Sequence, residues 1–433
     1  MKVSPESRMY ILGGTLCVAL TICSRYFGDR GGPLFMASLT LAGIVYLSAM
    51  LQLSATPKLP RRVVVVGLVL AAVWNCAFLR LSPGDDDDVH RYVWDGRLQR
   101  LGYNPYLVVS SDPAFQTLHT PETRNLNNPN LTSPYPPGAQ LFFRGVTAIR
   151  ESVFALKLTF AICEFALALV LLDLLRTSER ASHWVLAYAW NPLLAIEVAG
   201  SGHIDILGAL LLVISVAALA RRWRMIAALT FALAVAVKFL PIVLLPLYWR
   251  RVRVRDALLA AAVVVLLYVP FLDHGRIPFG SLGTYVQTFR FNGPVFAALD
   301  RLAPPRLLAA LAVLAGFAIS IWLRRAKHSG SPDVFAWPMA ASLVCAPVVF
   351  PWYLLWLLPF LTSASTLLII VWTVSIIPTY VQWHLRTLGR PWGALPGWVM
   401  PVEYGCTALA AALLTWHRIR RSDRREKVRL PTD

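Results

Sequence analysis

The chain has 433 residues, of which 57% are hydrophobic and 15% charged, a composition that excludes a soluble globular protein of this size. The formal net charge is +18, but the basic residues stand in short clusters between apolar runs, which excludes a single nucleic-acid-binding face. The six cysteines lie in or beside apolar runs without a CxxC pair, so neither a disulfide framework nor a zinc site is indicated.

Apolar runs of about 17 to 25 residues recur along the chain, the length with which an α-helix crosses a bilayer. No run alternates as barrel strands do, so the predicted fold class is all-α, a polytopic integral membrane protein forming one domain, residues 1–433. We predict about fourteen transmembrane or re-entrant helices. Eight of them are plain helices near 9–26, 33–53, 62–81, 153–175, 256–272, 306–323, 366–381 and 397–416. The others are a helix through Trp190 to Gly202, one from His203 to Arg221, a broken hairpin over 225–249 with Lys238 near its tip, and helices near 334–350 and 351–364.

Basic residues set the predicted orientation. The link over 58–62 is basic, and the positive-inside rule places it in the cytoplasm. Both termini, including the basic tail 417–433, are then cytoplasmic. Arginine is much commoner than lysine and alanine is abundant, which indicates a GC-rich bacterial genome and a bacterial plasma membrane. The predicted external loops lie near 81–152, 273–305 and 382–396.

The first external loop opens with PGDDDDVHRYVWDG, in which four adjacent aspartates, 85–88, precede a helical stretch. Adjacent carboxylates repel one another, so at least one should have a raised pKa, and such a group at a membrane interface suits a general base. The same run could be a solvated acidic cap of a helix, where Asp is favoured. Arg91 and Asp95 share a face at i, i+4 spacing, which a plain salt bridge would explain.

Two apolar runs contain ionisable residues. AWNPLLAIEVAGSGHIDIL holds Asn191, Glu197, His203 and Asp205, which cost free energy in a membrane unless they are paired. Mutual pairing would account for part of this set, whereas intramembrane ionisable groups usually mark a substrate path, the interpretation that we favour. Lys238 stands alone in FALAVAVKFLPIVLLP and needs either an interface to snorkel to or an anion such as a lipid-borne phosphate.

Aromatic residues are concentrated in the predicted external segments. GYNPY and SPYPPGAQLFF combine tyrosines and prolines into a rigid floor of the kind that holds sugars, although interface belts also collect Trp and Tyr. Two later segments have the same character, and either could be merely interfacial. They contribute Tyr285, Arg290, Asn292, Trp352 and Tyr353.

Five segments between about 85 and 361 resemble, in order, those of the GT-C membrane glycosyltransferases. They are DDVHRYVWDGRLQRLGYNPY, SPYPPGAQLFF, AWNPLLAIEVAGSGHIDIL, VKFLPIVLLPLYW and FPWYLLWLLP. The resemblance is to a bacterial, mannosyltransferase-like group similar to the first mannosyltransferase of GPI-anchor synthesis. It implies transfer of a hexose, mannose in this group, from a polyprenyl-phosphate-linked donor to a hydroxyl on the external face by an inverting single displacement.

The resemblance also implies site residues. The catalytic candidates, with Asp88 as the preferred base, are Asp88, Asp87 and Asp95. The candidates for the donor phosphate are Arg91, Lys238, His203 and Arg290. The candidates for the sugar or acceptor are Tyr92, Trp94, Asn104, Tyr106, Tyr135, Asn191, Glu197 and Asp205. His90 stands where the family usually has tyrosine and the acidic run is longer than usual, which leaves the choice of Asp open.

The expected partners are the lipid donor, the bilayer and a glycan, glycolipid or protein acceptor, without nucleic acid. No cofactor is demanded, while a divalent cation at the aspartates is compatible with this chemistry. The alternative function is a lipid-linked sugar transporter or flippase. In that case Lys238, Glu197 and Asp205 would bind a coupling ion or carry the substrate through the bilayer. Against it, the sequence has no inverted repeat and its densest polar cluster is an external loop. A non-catalytic scaffold would gain nothing from its buried Glu and Lys, although each costs free energy inside a membrane.

Overall fold

The structure is a computed structural model that describes residues 4–84, 87–326 and 330–429, with side chains described as far as residue 416. Every element of regular secondary structure within these ranges is a helix, which confirms the predicted all-α class. The α-helices are α1 Pro5–Arg25, α2 Pro33–Ala55, α3 Arg61–Leu79, α4 Asp88–Arg100, α5 Pro137–Ile149, α6 Val153–Thr177, α7 Val185–Ala189, α8 Asp205–Ala220, α9 Arg224–Val237, α10 Leu245–Tyr248, α11 Val254–Tyr268, α12 Leu282–Thr288, α13 Pro294–Leu299, α14 Pro305–Arg325, α15 Ala336–Val344, α16 Leu367–Ser375, α17 Val381–Thr387 and α18 Val399–Arg429.

Short helices of other types connect these elements. A π-helix occupies Leu194–Gly200 between α7 and α8. The 3-10 helices are Phe27–Asp29, Pro113–Leu118, Ser182–Trp184, Leu240–Leu244, Val269–Phe271, Pro332–Phe335, Pro351–Trp356, Leu358–Phe360, Ala364–Thr366 and Ile377–Tyr380.

Eight helical segments of the described chain are long and apolar enough to cross a membrane. They are Pro5–Arg25, Pro33–Ala55, Arg61–Leu79, Val153–Thr177, Val254–Phe271, Pro305–Arg325, Ala364–Thr387 and Val399–Trp416. Each coincides with one of the eight plain helices predicted from the sequence. The chain is therefore a multi-pass membrane protein.

The remaining six predicted segments are not plain spans, so the total of fourteen is not confirmed. The helices predicted near 334–350 and 351–364 are not continuous, because only the nine residues of α15 form an α-helix there and 3-10 turns follow. Pro347, Pro351 and Pro359 lack the N–H group that a continuing α-helix requires. The chain between α15 and α16 consequently turns repeatedly inside the protein and places aromatic side chains there.

Two breaks interrupt the central helices. The π-helix and α8 meet at an angle of 113° across residues 201–204, where Gly202 adopts a left-handed φ of +81°. The predicted break at Lys238 is present, because α9 ends at Val237, Lys238 is extended, and a 3-10 turn containing Pro241 follows. Both breaks lie inside the helix bundle and expose main-chain and polar side-chain groups to its interior.

The longest connection, over 80–152, folds into α4 and α5 packed against each other. Because successive spans alternate in direction, this connection and the loop over 26–32 lie at one end of the bundle, which we call the Asp88 end. The loops over 56–60 and 178–184 lie at the opposite end. A separate small apolar cluster of Trp94, Leu98, Val108 and Leu126 stabilises the long connection.

Candidate active site

Asp88 is the first residue of α4, where the positive end of the helix dipole favours a carboxylate. Its Oδ1 accepts a hydrogen bond of 2.5 Å from Nδ2 of Asn127. Its Oδ2 lies 3.9 Å from Nε2 of His203, and the side chain remains 19% exposed. One oxygen is thus held in place, while the other faces a partly open space beside an imidazole.

His203 lies in the break between the π-helix and α8, beside Glu197 of the π-helix. Nδ1 of His203 lies 2.9 Å from Oε2 of Glu197, and Oε1 of Glu197 accepts a hydrogen bond from the hydroxyl of Tyr380. The imidazole stacks on Trp352 at 4.1 Å between ring centroids. Within the described ranges its buried Nε2 has no hydrogen-bond partner. A carboxylate at Nδ1 keeps a proton on that nitrogen, so Nε2 is left to face Asp88.

Asp205 and Lys238 form the second charged group of the site. The Lys238 ammonium donates to both carboxylate oxygens of Asp205, at 2.7 and 2.9 Å, and Nε1 of Trp356 donates to Oδ1 at 2.7 Å. Lys238 also lies 4.2 Å from the centre of the Tyr353 ring, a cation–π contact. Asp205 is fully enclosed, whereas the Lys238 side chain is 22% exposed. Trp356 lies so close over Gly208 that a Cβ there would come within 2.0 Å of its ring.

A pair of tyrosines lies near the carboxylates of both Asp88 and Asp205. The hydroxyls of Tyr285 and Tyr353 lie 2.6 Å apart. Burial raises the pKa of Tyr285 above its usual range, and the charges of both Asp88 and Asp205 add to that effect. Burial, followed by the charge of Asp88, likewise raises the pKa of Tyr135. These phenols therefore remain neutral hydrogen-bond donors around one acidic centre.

Asp87 differs from its neighbour although the two are adjacent in the chain. It is buried and forms an ion pair of 2.8 Å with Arg30, from the loop between α1 and α2. Arg30 also donates to Ser201 at 2.7 Å and to the carbonyl of Pro83. The pair ties the start of α4 to the break before α8, so the structure gives Asp87 an anchoring position. Asp85 and Asp86, the rest of the acidic run, lie outside the described residues.

Asp95 lies two turns beyond Asp88 and is enclosed by its own loop. Its Oδ2 accepts from the Ser133 hydroxyl at 2.5 Å and from the Gln140 amide at 2.9 Å. Burial raises the pKa of Asp95 to about 6. Arg91 instead donates to the carbonyls of Asn127 and Asn128, at 2.9 and 2.7 Å. The expected direct Arg91–Asp95 bridge is thus replaced by separate contacts, and Arg91 holds the turn that presents Asn127.

Tyrosines predicted to bind sugar or acceptor mostly build the floor beneath the site. Tyr92 stacks on Phe143 with centroids 4.4 Å apart and meets the edge of Tyr135. Tyr106 donates from its hydroxyl to the carbonyl of Tyr135 at 2.7 Å. Only Tyr135 in this group is both half-buried and close to the Asp88 charge. The others support its position.

Four further predicted site residues are engaged in other contacts. Trp94 stacks on His119 at 4.1 Å, and the Asn104 amide donates to the carbonyl of Phe271. The Asn191 amide donates to Thr373 at 2.8 Å inside the bundle. Arg290 donates to the carbonyl of Phe289 at 2.8 Å and lies 3.4 Å from Asp300. Their proposed contacts with sugar or phosphate stay predictions.

The sequence-based prediction omitted Asn127, Arg30, Trp356 and Tyr380. Arg30 carried a usable signal, because it is a basic residue between the first two spans, at the end of the bundle opposite to the basic link over 58–62. Trp356 and Tyr380 lie in apolar runs, where an aromatic residue does not stand out. Among the described residues no three or more His, Cys, Asp or Glu side chains are grouped to hold a metal ion.

Residues 17–252 match the model of a family described as "Alpha-(1->6)-mannopyranosyltransferase, N-terminal domain", which is more than half of the 433 residues. Among solved structures, the chain is similar to ArnT from Cupriavidus metallidurans, whose crystal structure is described as bound to undecaprenyl phosphate. The identity is 15%, 81% of this chain and 72% of that chain are covered, and the TM-score is 0.46. Among curated proteins none matches the chain.

Proposed function

Because the chain belongs to the alpha-(1->6)-mannopyranosyltransferase family, we propose that it transfers a mannosyl group from a polyprenyl-phosphate-linked donor to an acceptor hydroxyl at the Asp88 end. The membership confirms the resemblance to membrane mannosyltransferases noted in the sequence. The observation that carries the proposal is the environment of Asp88. One of its oxygens is fixed by Asn127 and the other faces the half-open space beside His203. A carboxylate in this position is suited to accept a proton from a hydroxyl group.

The proposed step is a single inverting displacement. The acceptor hydroxyl gives its proton to Asp88 as its oxygen forms a bond to the anomeric carbon of the donor. The bond between that carbon and the phosphate oxygen breaks, and its electron pair leaves with the polyprenyl phosphate. The proton then passes from Asp88 to water. Inversion at a β-linked mannosyl phosphate would give the α-linkage in the family's description, with the primary hydroxyl at position 6 of a mannose as acceptor.

Negative charge grows on the leaving phosphate, so catalysis requires positive groups or donors that are already in place. Lys238 is the first of these in our proposal, because Asp205 holds it while part of its side chain remains accessible. The second is His203, which in its protonated form carries a hydrogen on the unpartnered Nε2 as well as on Nδ1 and can donate it to the phosphate. Trp352, Tyr353 and Tyr285 would form the aromatic wall against which the sugar lies. Arg91 and Arg290 remain secondary candidates for the phosphate.

We infer that the Asp88 end faces the outside of a bacterial plasma membrane. The opposite end carries Lys58, Arg61 and Arg62 in one loop and Arg176 and Arg180 near the next, as the positive-inside rule requires of a cytoplasmic face. Both termini would then be cytoplasmic. The acceptor would be a glycan or glycolipid of the cell envelope, or a protein, presented at the outer surface.

The test is a transfer assay with purified protein in nanodiscs, radiolabelled polyprenyl-phosphate-mannose and an envelope-lipid extract. Wild type is compared with Asp88→Asn and with a matched control, Asp112→Asn. Asp112 lies in the same long connection and caps the turn at Ala114, a contact that asparagine preserves. Removing a general base should lower the rate by roughly 10²- to 10⁴-fold, whereas the control should match wild type.

Full activity of Asp88→Asn would remove Asp88 as the base. If wild type binds the labelled lipid but transfers nothing to any acceptor fraction, the transferase proposal fails. Movement of the label between leaflets in that case would favour the lipid-sugar transporter. Gel filtration of each variant separates loss of chemistry from loss of fold.

A further inference from the structure

A cavity of about 460 Å³ opens at the end of the bundle opposite to Asp88. It lies between the turn that joins α8 to α9 and the turn that follows α10. Its lining combines arginines with apolar side chains. The residues that matter here are Arg222, Arg224, Arg250, Arg251, Leu219 and Phe335.

Three of the arginines that line this cavity have no acidic partner among the described residues. Arg221, just outside it, pairs with Asp173 at 2.5 Å. In the described part of the chain, by contrast, no carboxylate lies within ion-pair distance of Arg222, Arg224 or Arg250. Both Arg222 and Arg250 have a left-handed φ of +61°, so two tight turns bring their guanidinium groups to one concave surface.

Arg251, which is half-buried in the same wall, shows the effect of this crowding. Burial lowers its pKa, and the charge of nearby Arg324 lowers it further. Several like charges are therefore close together at this cavity. An anion bound in the cavity would relieve that repulsion.

A second cavity of about the same volume at this end provides a contrast. It is lined by Arg180 and His183 but also contains Asp333, which lies 3.6 Å from Arg180 and accepts hydrogen bonds from Ser363 and Ser365. Its charge is compensated within the protein. Arginines at this end of the bundle therefore do not in general lack acidic partners, which distinguishes Arg222, Arg224 and Arg250 at the first cavity.

Two exposed tryptophans show at which depth the arginine cavity lies. Trp223 is 56% exposed and Trp249 71% exposed, and each is adjacent in sequence to a cavity arginine. Tryptophan at the ends of membrane helices lies at the level of the lipid headgroups. Basic pockets between transmembrane helices at this depth are suited to phosphate-bearing headgroups.

We propose that this cavity binds the phosphate headgroup of an anionic phospholipid from the leaflet at the end opposite to Asp88. The guanidinium groups of Arg222, Arg224 and Arg250 donate charge-assisted hydrogen bonds to the phosphate oxygens. Leu219, which is half-buried, packs against the first methylene groups of the lipid. The site is separate from the Asp88 site and does not depend on the transferase proposal.

The test measures lipid binding to the full-length protein by native mass spectrometry and thermal unfolding in detergent. The added probes are phosphatidylglycerol, phosphatidylcholine and inorganic phosphate. The variant Arg224→Gln/Arg250→Gln is compared with a control that loses the same charge at the same end, Arg176→Gln/Arg253→Gln. Neither control residue lines the cavity.

Phosphatidylglycerol should bind and stabilise wild type, and phosphatidylcholine should bind at least tenfold more weakly. The cavity variant should lose roughly tenfold or more in affinity for phosphatidylglycerol, while the control stays within about twofold of wild type. The single substitutions should each give part of this loss, which keeps the test open if the double variant unfolds. Equal binding of phosphatidylglycerol by variant and wild type would overturn the proposal. Equal stabilisation by inorganic phosphate without lipid preference would overturn the lipid as ligand.

Discussion

The portion of the chain that matches the family model and the portion beyond it contribute different chemistry to one site. Residues 17–252 supply the charged and titratable groups, among them Asp88, Glu197, His203, Asp205 and Lys238. Residues after 252 supply aromatic side chains. Four charged or titratable groups of the first portion each contact one aromatic side chain of the second, and the pairs are His203 with Trp352, Lys238 with Tyr353, Asp205 with Trp356 and Glu197 with Tyr380. The first portion thus carries the charged groups, and the second fixes where they are.

This division predicts that removing a charge in the first portion has the largest effect. Lys238→Met leaves Asp205 enclosed without its partner, which should cost about 3–5 kcal/mol of stability. It should also weaken donor binding. Combining it with Asp205→Asn should restore much of the stability but not transfer. Thermal unfolding in detergent and a donor-binding assay measure the two effects.

The matched control is the exposed pair at the opposite end, Asp173→Asn with Arg221→Gln. Its loss should cost about 0–1 kcal/mol, as is usual for surface ion pairs. A Lys238→Met protein with wild-type stability and donor affinity would show that the Asp205–Lys238 pair is dispensable.

Asp95 is a charged group of the first portion whose partners are not aromatic residues of the second. Its hydrogen bonds come from Ser133 and Gln140 of the first portion. Its pKa rises from 3.8 to about 6 on folding, so the folded state binds the proton more tightly than the unfolded state. Stability should therefore fall as the pH rises from about 4 to about 6, on the order of 3 kcal/mol for this group. In Asp95→Asn that pH dependence should disappear, and transfer should persist. Unfolding temperatures of both proteins across this pH range measure the pH dependence of stability.

The Asp112→Asn protein is again the control and should keep the wild-type pH dependence. Complete loss of transfer by a well-folded Asp95→Asn protein would place Asp95 in the chemistry after all.

Glu197→Gln probes a contact that orients another residue. The amide cannot fix the proton on Nδ1 of His203 as a carboxylate does, so kcat should fall roughly ten- to a hundredfold, the equivalent of a lost hydrogen bond of about 1.5–3 kcal/mol to a charged group. KM for the donor should change little. Glu164→Gln, a buried glutamate hydrogen-bonded to Asn75 away from the site, is the control. Equal effects of the two changes would mean that Glu197 acts only on stability.

The smallest effect is expected from Tyr353→Phe. The ring over Lys238 stays, and only the hydroxyl contact with Tyr285 is lost, at a cost of about 1 kcal/mol in donor affinity. Tyr353→Leu removes the cation–π contact as well and should weaken the donor by a further 0.5–2 kcal/mol, roughly. Titration of both variants with the lipid donor measures the difference. Identical affinities would show that the ring contributes nothing to the position of Lys238.

The sequence drew attention to the charged side chains of the first portion for a physical reason. Glu197, His203, Asp205 and Lys238 interrupt apolar runs, and such an interruption is costly unless it serves a purpose. The eight spans were predictable because length and hydrophobicity alone determine whether a helix can cross a bilayer. The choice of Asp88 among the aspartates rested on a resemblance to known enzymes, and it stays a prediction.

The aromatic portion was harder to predict, because tryptophan in an apolar run looks the same whether it faces lipid or a charged group. The chain around Pro347 to Pro359 was predicted to lie in two helices, whereas its prolines fold it into turns that bring Trp352 and Trp356 inward. The partnership of Asp87 with Arg30 joins residues 57 positions apart in the sequence, and no local pattern encodes it. The pairing between portions arises only from tertiary packing.

The close approach of Trp356 to Gly208 has a consequence for natural variation in this protein. In a list of substitutions, glycine to alanine within an apolar helix would be classed as neutral. At position 208 the added methyl group would meet the indole ring and push it away from Asp205. We expect this position to tolerate no other residue while its half-buried neighbour Leu207 varies among apolar types, so a survey of viable alleles would identify the site without any assay of its chemistry.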